Sequence, residues 1–223
     1  MVIALDGPAC SGKSTLAVEL AKKIGYKFLN TGMIFRAIAY LLLKKSVDAS
    51  NYEKILECID GTQIDIEFQG DKQIILLDNQ DVSSFLSSPE VAKYASLYSQ
   101  IPVIREKVVE YQHLFSNKYN LVIEGRDIGT EVFPNAKYKF FVTALIEERV
   151  ERRYQNLIGQ YPNITKQEIK DSLLERDYND SHREISPLKQ AKDAHLIDTS
   201  GQTIEQSIET LLTFIDKDDI KSN

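Results

Sequence analysis

Met1-Val2-Ile3-Ala4-Leu5-Asp6-Gly7-Pro8-Ala9-Cys10-Ser11-Gly12-Lys13-Ser14 opens the chain and decides its fold. The apolar run at residues 2–5 ends at Asp6-Gly7-Pro8, which suits a buried strand passing into a loop. From Lys13 onward, Leu16, Ala17, Leu20, Ala21 and Ile24 fall at helical spacing, and Gly25 supplies the stop. Between strand and helix, residues 7–14 fit GxxxxGK[ST]. Glycines let backbone N–H groups converge on phosphate oxygens, and a helix start adds unpaired donors and a positive dipole end. Lys13 then reaches the β and γ phosphates, and Ser14 faces a magnesium ion carried with them. The nucleotide-contacting candidates are Gly7, Pro8, Ala9, Cys10, Ser11, Gly12, Lys13, Ser14 and Thr15. The motif identifies a nucleoside triphosphate and leaves the acceptor open.

Further along, strands alternate with helices. Tyr26–Leu29 reads as a second strand and residues 33–45 as a second helix. Near residue 62 the pattern changes: Ile64, Ile66 and Phe68 alternate with polar residues, Gly70-Asp71 makes a turn, and Ile74–Leu77 follows. That reads as a small antiparallel unit. Residues 83–116 read as helical with a break near Pro102. Leu121-Val122-Ile123 and Lys139–Thr143 read as strands, and Leu196-Ile197 as a short fifth. Residues 146–183 are helical and highly charged, interrupted at Tyr161-Pro162-Asn163. Their composition suggests a solvated, mobile hairpin rather than core. Ile204, Ile208, Leu211, Leu212 and Ile215 mark a closing amphipathic helix, with a frayed tail over Asp216–Asn223. The predicted fold is α/β, a parallel sheet of about five strands covered by helices, which binds ligands at the carboxyl ends of its strands.

The 223 residues carry 43% hydrophobic side chains and a net charge of -6. That composition supports one sizeable core and argues against a nucleic-acid polymer as partner, since polyanion binding needs a basic surface. Cys10 and Cys58 lack disulfide or zinc spacing, so a reducing, cytoplasmic compartment is expected. No apolar run approaches a membrane span, and no basic leader precedes the first strand; neither a signal peptide nor an anchor is expected.

The acceptor must be sought in the remaining polar clusters. No Asn-Lys-x-Asp stretch reads a guanine base. The third strand ends in Glu124-Gly125-Arg126-Asp127, which sets a cation and carboxylates where a second anionic substrate would sit. Here a family resemblance becomes specific. Asp6-Gly7-Pro8, Thr31-Gly32-Met33-Ile34-Phe35-Arg36, and Gly125-Arg126-Asp127-Ile128-Gly129-Thr130 with Val132-Phe133-Pro134 resemble the bacterial cytidylate kinases of the P-loop nucleoside monophosphate kinase family. So do Arg176-Asp177…Asp180…Arg183, Ser186-Pro187-Leu188, Ala191-Lys192-Asp193-Ala194 and Ile197-Asp198-Thr199-Ser200. The motifs run in order over nearly the whole chain.

The resemblance implies a single P-loop kinase domain. Its core would be about 1–32, 106–145 and 184–223, with a CMP-binding region over 33–105 that holds the β insert, and a helical lid over 146–183. It implies transfer of the γ-phosphoryl group of MgATP to CMP or dCMP by a monomer. Lys13, Arg126 and Arg152 would be catalytic. Arg36 and Arg126 would clamp the CMP phosphate, where a planar guanidinium fork matches two oxygens. Asp127, Arg105 and Arg183 would read cytosine: the carboxylate accepts from N4, and the arginines donate to N3 and O2. Ser96, Arg176 and Asp180 would contact the ribose, with Thr31 nearby. Arg176, Asp180 and Arg183 lie at i, i+4 and i+7, so one helix face can present all three; spacing alone would equally suit intrahelical ion pairs.

Arg149, Arg152 and Arg153 share about one turn at the start of the lid segment. They would fold over ATP and neutralise charge as it develops, or else solubilise a helix that also carries Glu147, Glu148 and Glu151. The chain departs from the family at Cys10, where Gly or Ala is usual, and at Asn30 and Glu124, where Asp is common. Glu124 keeps the charge and could face magnesium. Two other readings stand beside this one, a kinase for a different monophosphate or small hydroxyl compound and a nucleotide-gated ATP-binding module.

Overall fold

The structure, a computed structural model, describes residues 1–70 and 72–220. In chain order the elements are β1 (Val2–Asp6), α1 (Lys13–Ile24), β2 (Lys27–Asn30), α2 (Thr31–Lys44), α3 (Tyr52–Asp60), β3 (Ile64–Gln69), β4 (Lys72–Leu77), β5 (Gln80–Asp81), α4 (Pro89–Tyr98), α5 (Pro102–Lys118), β6 (Leu121–Gly125), β7 (Tyr138–Thr143), α6 (Ile146–Leu157), α7 (Lys166–His182), β8 (His195–Asp198), α8 (Ile204–Thr213) and α9 (Lys217–Ile220). The expected fold class is present: a five-stranded parallel sheet in the order β2-β6-β1-β7-β8, flanked by helices, and a three-stranded antiparallel sheet β3-β4-β5.

The chain divides into two compact units, residues 1–26 with 121–223, and residues 27–120. In the first unit β1 lies between β6 and β7. Ile3, Ala4 and Leu5 are buried on both faces of the sheet, as are Leu121, Val122 and Ile123 of β6. That explains continuous apolar runs in place of alternation. Each fully buried Ile or Leu is worth about 1.5–3 kcal/mol. The register pairs Asp6 with Gly125, so the loops after β1 and β6 leave neighbouring strands at the same level. Helix α1 buries Leu16, Ala17, Leu20, Ala21 and Ile24, against β6 and α8, and ends at Gly25 in a left-handed conformation. No helix among the described residues is long and apolar enough to cross a membrane.

The second unit is mostly helical. Asn30 caps α2 by accepting the Met33 N–H at 3.2 Å, the ordinary work of an Asn N-cap, so its missing charge leaves that bond in place. The expected break in residues 83–116 falls between α4 and α5, and Pro102 opens the second helix. In the antiparallel sheet Ile64 pairs with Leu77 and Ile66 with Ile75, burying one face. The sequence reading stopped at two strands there. The third, β5, is two residues long, too short to show a period; Asp78 and Asn79, both at positive φ, turn the chain into it. Gly70 sits in the expected turn at φ +61°, and Asp71 lies outside the described residues.

Two expectations in the first unit are corrected. The hairpin α6–α7 is not wholly solvated. Val150, Ile169 and Leu173 form a buried cluster with Ala9, flanked by Ile146, Tyr154, Leu157 and Ile164. Ile146, Val150 and Tyr154 are spaced by four residues, as are Ile169 and Leu173, so a narrow apolar seam hides among many charges. The tail is not frayed over residues 216–220. Lys137 ion-pairs Asp216 at 2.7 Å and Asp219 at 2.6 Å, and the Tyr26 hydroxyl donates to the Asp219 carbonyl at 3.0 Å. Residues 221–223 lie outside the described residues. The closing helix ends at Thr213, earlier than its apolar pattern suggests, yet Ile215 is still buried.

Candidate functional site

The loop from Gly7 to Gly12 joins the central strand to α1. Gly7 has φ +151°, and a Cβ there would lie 2.0 Å from the Val142 carbonyl oxygen, so only glycine fits. Gly12 has φ +90° and caps α1 in a left-handed conformation. Cys10 adopts φ +59°, a conformation natural to glycine, with its side chain packed on the hairpin cluster. The loop thus aims the unpaired N–H groups of a twelve-residue helix at one point, where an anion is favoured.

Lys13 is 5% exposed, and its ammonium donates to the Pro8 carbonyl at 3.0 Å. Burial and then the Arg126 charge push its pKa down to about 7, against an opposing pull from Glu124. Ser14 is exposed, and its hydroxyl lies 2.7 and 2.6 Å from the two oxygens of buried Glu124. The two candidate metal-facing groups are therefore brought together. A hydroxyl and a carboxylate are hard oxygen donors of the kind magnesium takes beside substrate phosphates. Among the described residues no group of three or more His, Cys, Asp or Glu could hold a metal ion. Thr15 is exposed beside Ser14.

Asp6, to which the sequence alone assigns no role, organises the neighbouring strand end. Its carboxylate accepts the Ile128 N–H at 2.9 Å and the Gly129 N–H at 2.7 Å. Burial raises its pKa to about 6, despite those two bonds. It thereby ties the β1 end to the Gly125–Thr130 segment, which continues into one wide helical turn, Ile128–Val132. Arg126 on that segment donates from Nε to Asp180 at 2.6 Å and from Nη1 to the Gly125 carbonyl at 3.2 Å. Burial alone would raise the Asp180 pKa, but Arg126, with Arg176 and Arg183, holds it below the usual range. Arg176 approaches Asp180 at 4.0 Å, and Arg183 approaches Asp127 at 3.6 Å while donating to the Ser186 carbonyl at 2.6 Å. The helical stripe and the β6 loop are thus drawn together, and all five residues belong to the first unit.

The three arginines of α6 separate. Arg149 is buried; its Nε donates to the Ala9 carbonyl at 2.7 Å and its Nη1 pairs with Asp177 at 2.6 Å. Arg152 donates to the Thr199 hydroxyl and carbonyl, both at 3.0 Å, and to Glu148 at 3.1 Å. Its Nη1 lies so near the loop that a Cβ on Gly12 would meet it at 3.3 Å. Arg153 is exposed and makes no hydrogen bond or ion pair among the described residues. Thr199 is a second group missed at first: its hydroxyl lies 2.9 Å from the Ser11 carbonyl and 3.1 Å from that of Thr143, linking loop, β7 and Arg152. Its signal was the Ile197-Asp198-Thr199-Ser200 stretch at the end of β8.

In the second unit, Thr31 is buried and its hydroxyl accepts from Gln112 at 3.0 Å. Arg36, in the second turn of α2, donates to the Leu86 carbonyl at 3.5 Å. Arg105 is buried, donates to the Ser99 carbonyl at 2.9 Å, and lies over the Phe35 ring at 5.6 Å. Ser96 is exposed on α4.

The family model described as cytidylate kinase matches residues 3–217. A cytidylate kinase from Caldicellulosiruptor saccharolyticus is 41% identical, over 94% of this chain and 93% of that one. One from Clostridium perfringens is 37% identical, over 97% and 98%. Among solved structures, TT1252 from Thermus thermophilus superposes with a TM-score of 0.50 at 17% identity, covering 97% of this chain and 98% of that one. At that identity the likeness speaks to the fold alone.

Proposed function

Because the chain belongs to the cytidylate kinase family, we propose that it moves the γ-phosphoryl group of MgATP onto the phosphate of CMP or dCMP. One observation carries this reading. Two phosphate-handling clusters leave adjacent strand ends in register, Lys13 and Ser14 after β1, and Arg126 and Asp127 after β6. The first suits a triphosphate. The second suits an anion attached to a base bearing an amino group.

The transfer is in-line. An oxygen of the acceptor phosphate attacks the γ-phosphorus, the bond to the β–γ bridging oxygen breaks, and ADP departs with that electron pair. The acceptor phosphate is ionised near neutral pH, so no general base is required. Positioning and charge neutralisation do most of the work. Lys13 is assigned to the β and γ phosphates; a polyanion at its ammonium restores the proton that burial disfavours. A magnesium ion carried with ATP would neutralise further phosphate charge, with Ser14 and Glu124 facing it. Arg152, fixed by Thr199 beside the loop, is assigned to charge developing in transfer. Arg126 is assigned to the acceptor phosphate, Asp127 and Arg183 to the base, and Arg176 and Asp180 to the ribose. For Thr31, Arg36, Ser96 and Arg105 the assignment to the acceptor rests on the motifs in the sequence.

A cytoplasmic location and a monomeric state belong to the same proposal; two free thiols, Cys10 and Cys58, support a reducing compartment. The test is ADP release with CMP, dCMP, UMP and AMP as acceptors. CMP and dCMP should give the highest kcat/KM. A preference for UMP or AMP, or ATP consumption indifferent to any added monophosphate, would overturn the reading.

A further inference from the structure

We propose that Asp177 is a positioning residue for the phosphoryl donor, acting through Arg149 on the Ala9 carbonyl of the phosphate loop. The inference rests on the donor-site reading above and adds a residue to it. The chain of contacts is continuous and lies within one unit: Asp177 Oδ2 to Arg149 Nη1 at 2.6 Å, then Arg149 Nε to the Ala9 carbonyl at 2.7 Å.

Three observations favour positioning over simple adhesion between α6 and α7. First, adhesion is already supplied: Val150, Ile169 and Leu173 pack with Ala9 at the same place. A buried ion pair is weak evidence for stability, because an apolar pair of the same volume often holds as well or better. Second, the pair is half used. Arg149 Nη2 and Asp177 Oδ1 are buried without a hydrogen-bond partner among the described residues. Such groups carry a desolvation cost that a purely structural contact has no reason to retain. With Nε and Nη1 held, the planar fork is fixed, and Nη2 is a guanidinium donor left over beside a phosphate loop. Third, α7 reaches both clusters. Asp180, three residues after Asp177, holds Arg126 at the β6 loop, while Asp177 holds the β1 loop through Arg149. The helix assigned to the acceptor thus also sets the backbone that receives the donor.

The experiment compares Asp177→Asn with the parent protein in steady-state kinetics, ADP binding by calorimetry, and thermal melting. Loss of a charge-assisted bond to Arg149 should raise the KM for ATP and weaken ADP binding by about tenfold. The KM for CMP should change less than that for ATP, since Asp180 keeps its bond to Arg126 and Asp177 acts on Arg126 only through its charge. An Asp177→Glu variant should restore part of the ADP affinity. Unchanged ADP affinity, or a parallel loss of both substrates together with a lowered melting point, would overturn the proposal. Should Asp177→Asn fail to fold, the volume-matched pair Arg149→Met with Asp177→Leu decides: a native melting point with ADP affinity lost supports positioning, and retained affinity refutes it. ADP binding needs no acceptor. A parent protein that binds ADP but never phosphorylates CMP would therefore refute the acceptor assignment and leave this test standing.

Discussion

The phosphate loop and the α6–α7 hairpin lie side by side and hold their functional groups by opposite means. The loop is set by backbone. Gly7 and Gly12 at positive φ, a β1 buried on both faces and the start of α1 leave Lys13 one place to go. On the hairpin the guanidinium groups are set by polar partners. Arg149 and Arg152 are fixed by Asp177, Glu148 and Thr199, over a seam of few apolar residues. Backbone geometry is unforgiving and local. Side-chain pairs are individually weaker, and two of these partners, Asp177 and Thr199, lie far away in sequence.

Several substitutions would break or sharpen that contrast. The largest effect should come from Lys13→Ala, which removes the one ammonium in the loop. Turnover should fall about 10³-fold while CMP binding, followed by calorimetry, is preserved; loss of CMP binding as well would mean that the roles are misassigned. Next is Gly7→Ala, where the new methyl meets the Val142 carbonyl. Chemical denaturation should show a loss of about 3 kcal/mol, and a stability equal to the parent would contradict the backbone account. On the hairpin, Arg152→Ala should lower kcat by about 10²-fold with little change in melting temperature. A melting point that falls in step with activity would make Arg152 a strut.

The pH dependence is subtler. Only protonated Lys13 attracts phosphate, and its pKa lies at about 7 before the nucleotide arrives. A bound polyanion raises that value. Nucleotide affinity should therefore be level below pH 7 and weaken above it, towards about tenfold per pH unit. At pH 7 binding should take up about half a proton. Calorimetry in two buffers of different ionisation enthalpy measures that uptake, and Lys13→Met should abolish it. The smallest effect is expected of Cys10→Gly. Relief of a left-handed backbone offsets lost packing on the hairpin, leaving the stability within about 1 kcal/mol of the parent.

The same contrast explains what could be read from the residues alone. Gly7–Ser14 was legible because its requirements are local: an apolar strand, two glycines, a lysine and a helix period stand together in residues 2–25. The parallel sheet was legible because its strands are short apolar runs between helices. The hairpin was misjudged as wholly solvated because its seam is sparse, and Val150 or Leu173 carries no hint of Ala9 as a neighbour. Asp6 and Thr199 escaped notice as site organisers for the same reason. Their partners, the Ile128 and Gly129 amides and the Ser11 carbonyl, are backbone groups more than a hundred residues away. Asp177 stood in plain view beside Arg176, but only the fold discloses that it turns towards Arg149.

The clasp of α9 has a practical corollary. Lys137 and Tyr138 sit where β7 begins, and Met1 precedes β1, whereas the glycine loop leaves from where β1 ends. The segment around Asp216 to Asp219 is therefore moored at the opposite rim of the sheet. A dye or surface linker attached there would leave the nucleotide-facing rim unobstructed, a convenient handle for watching single molecules turn over.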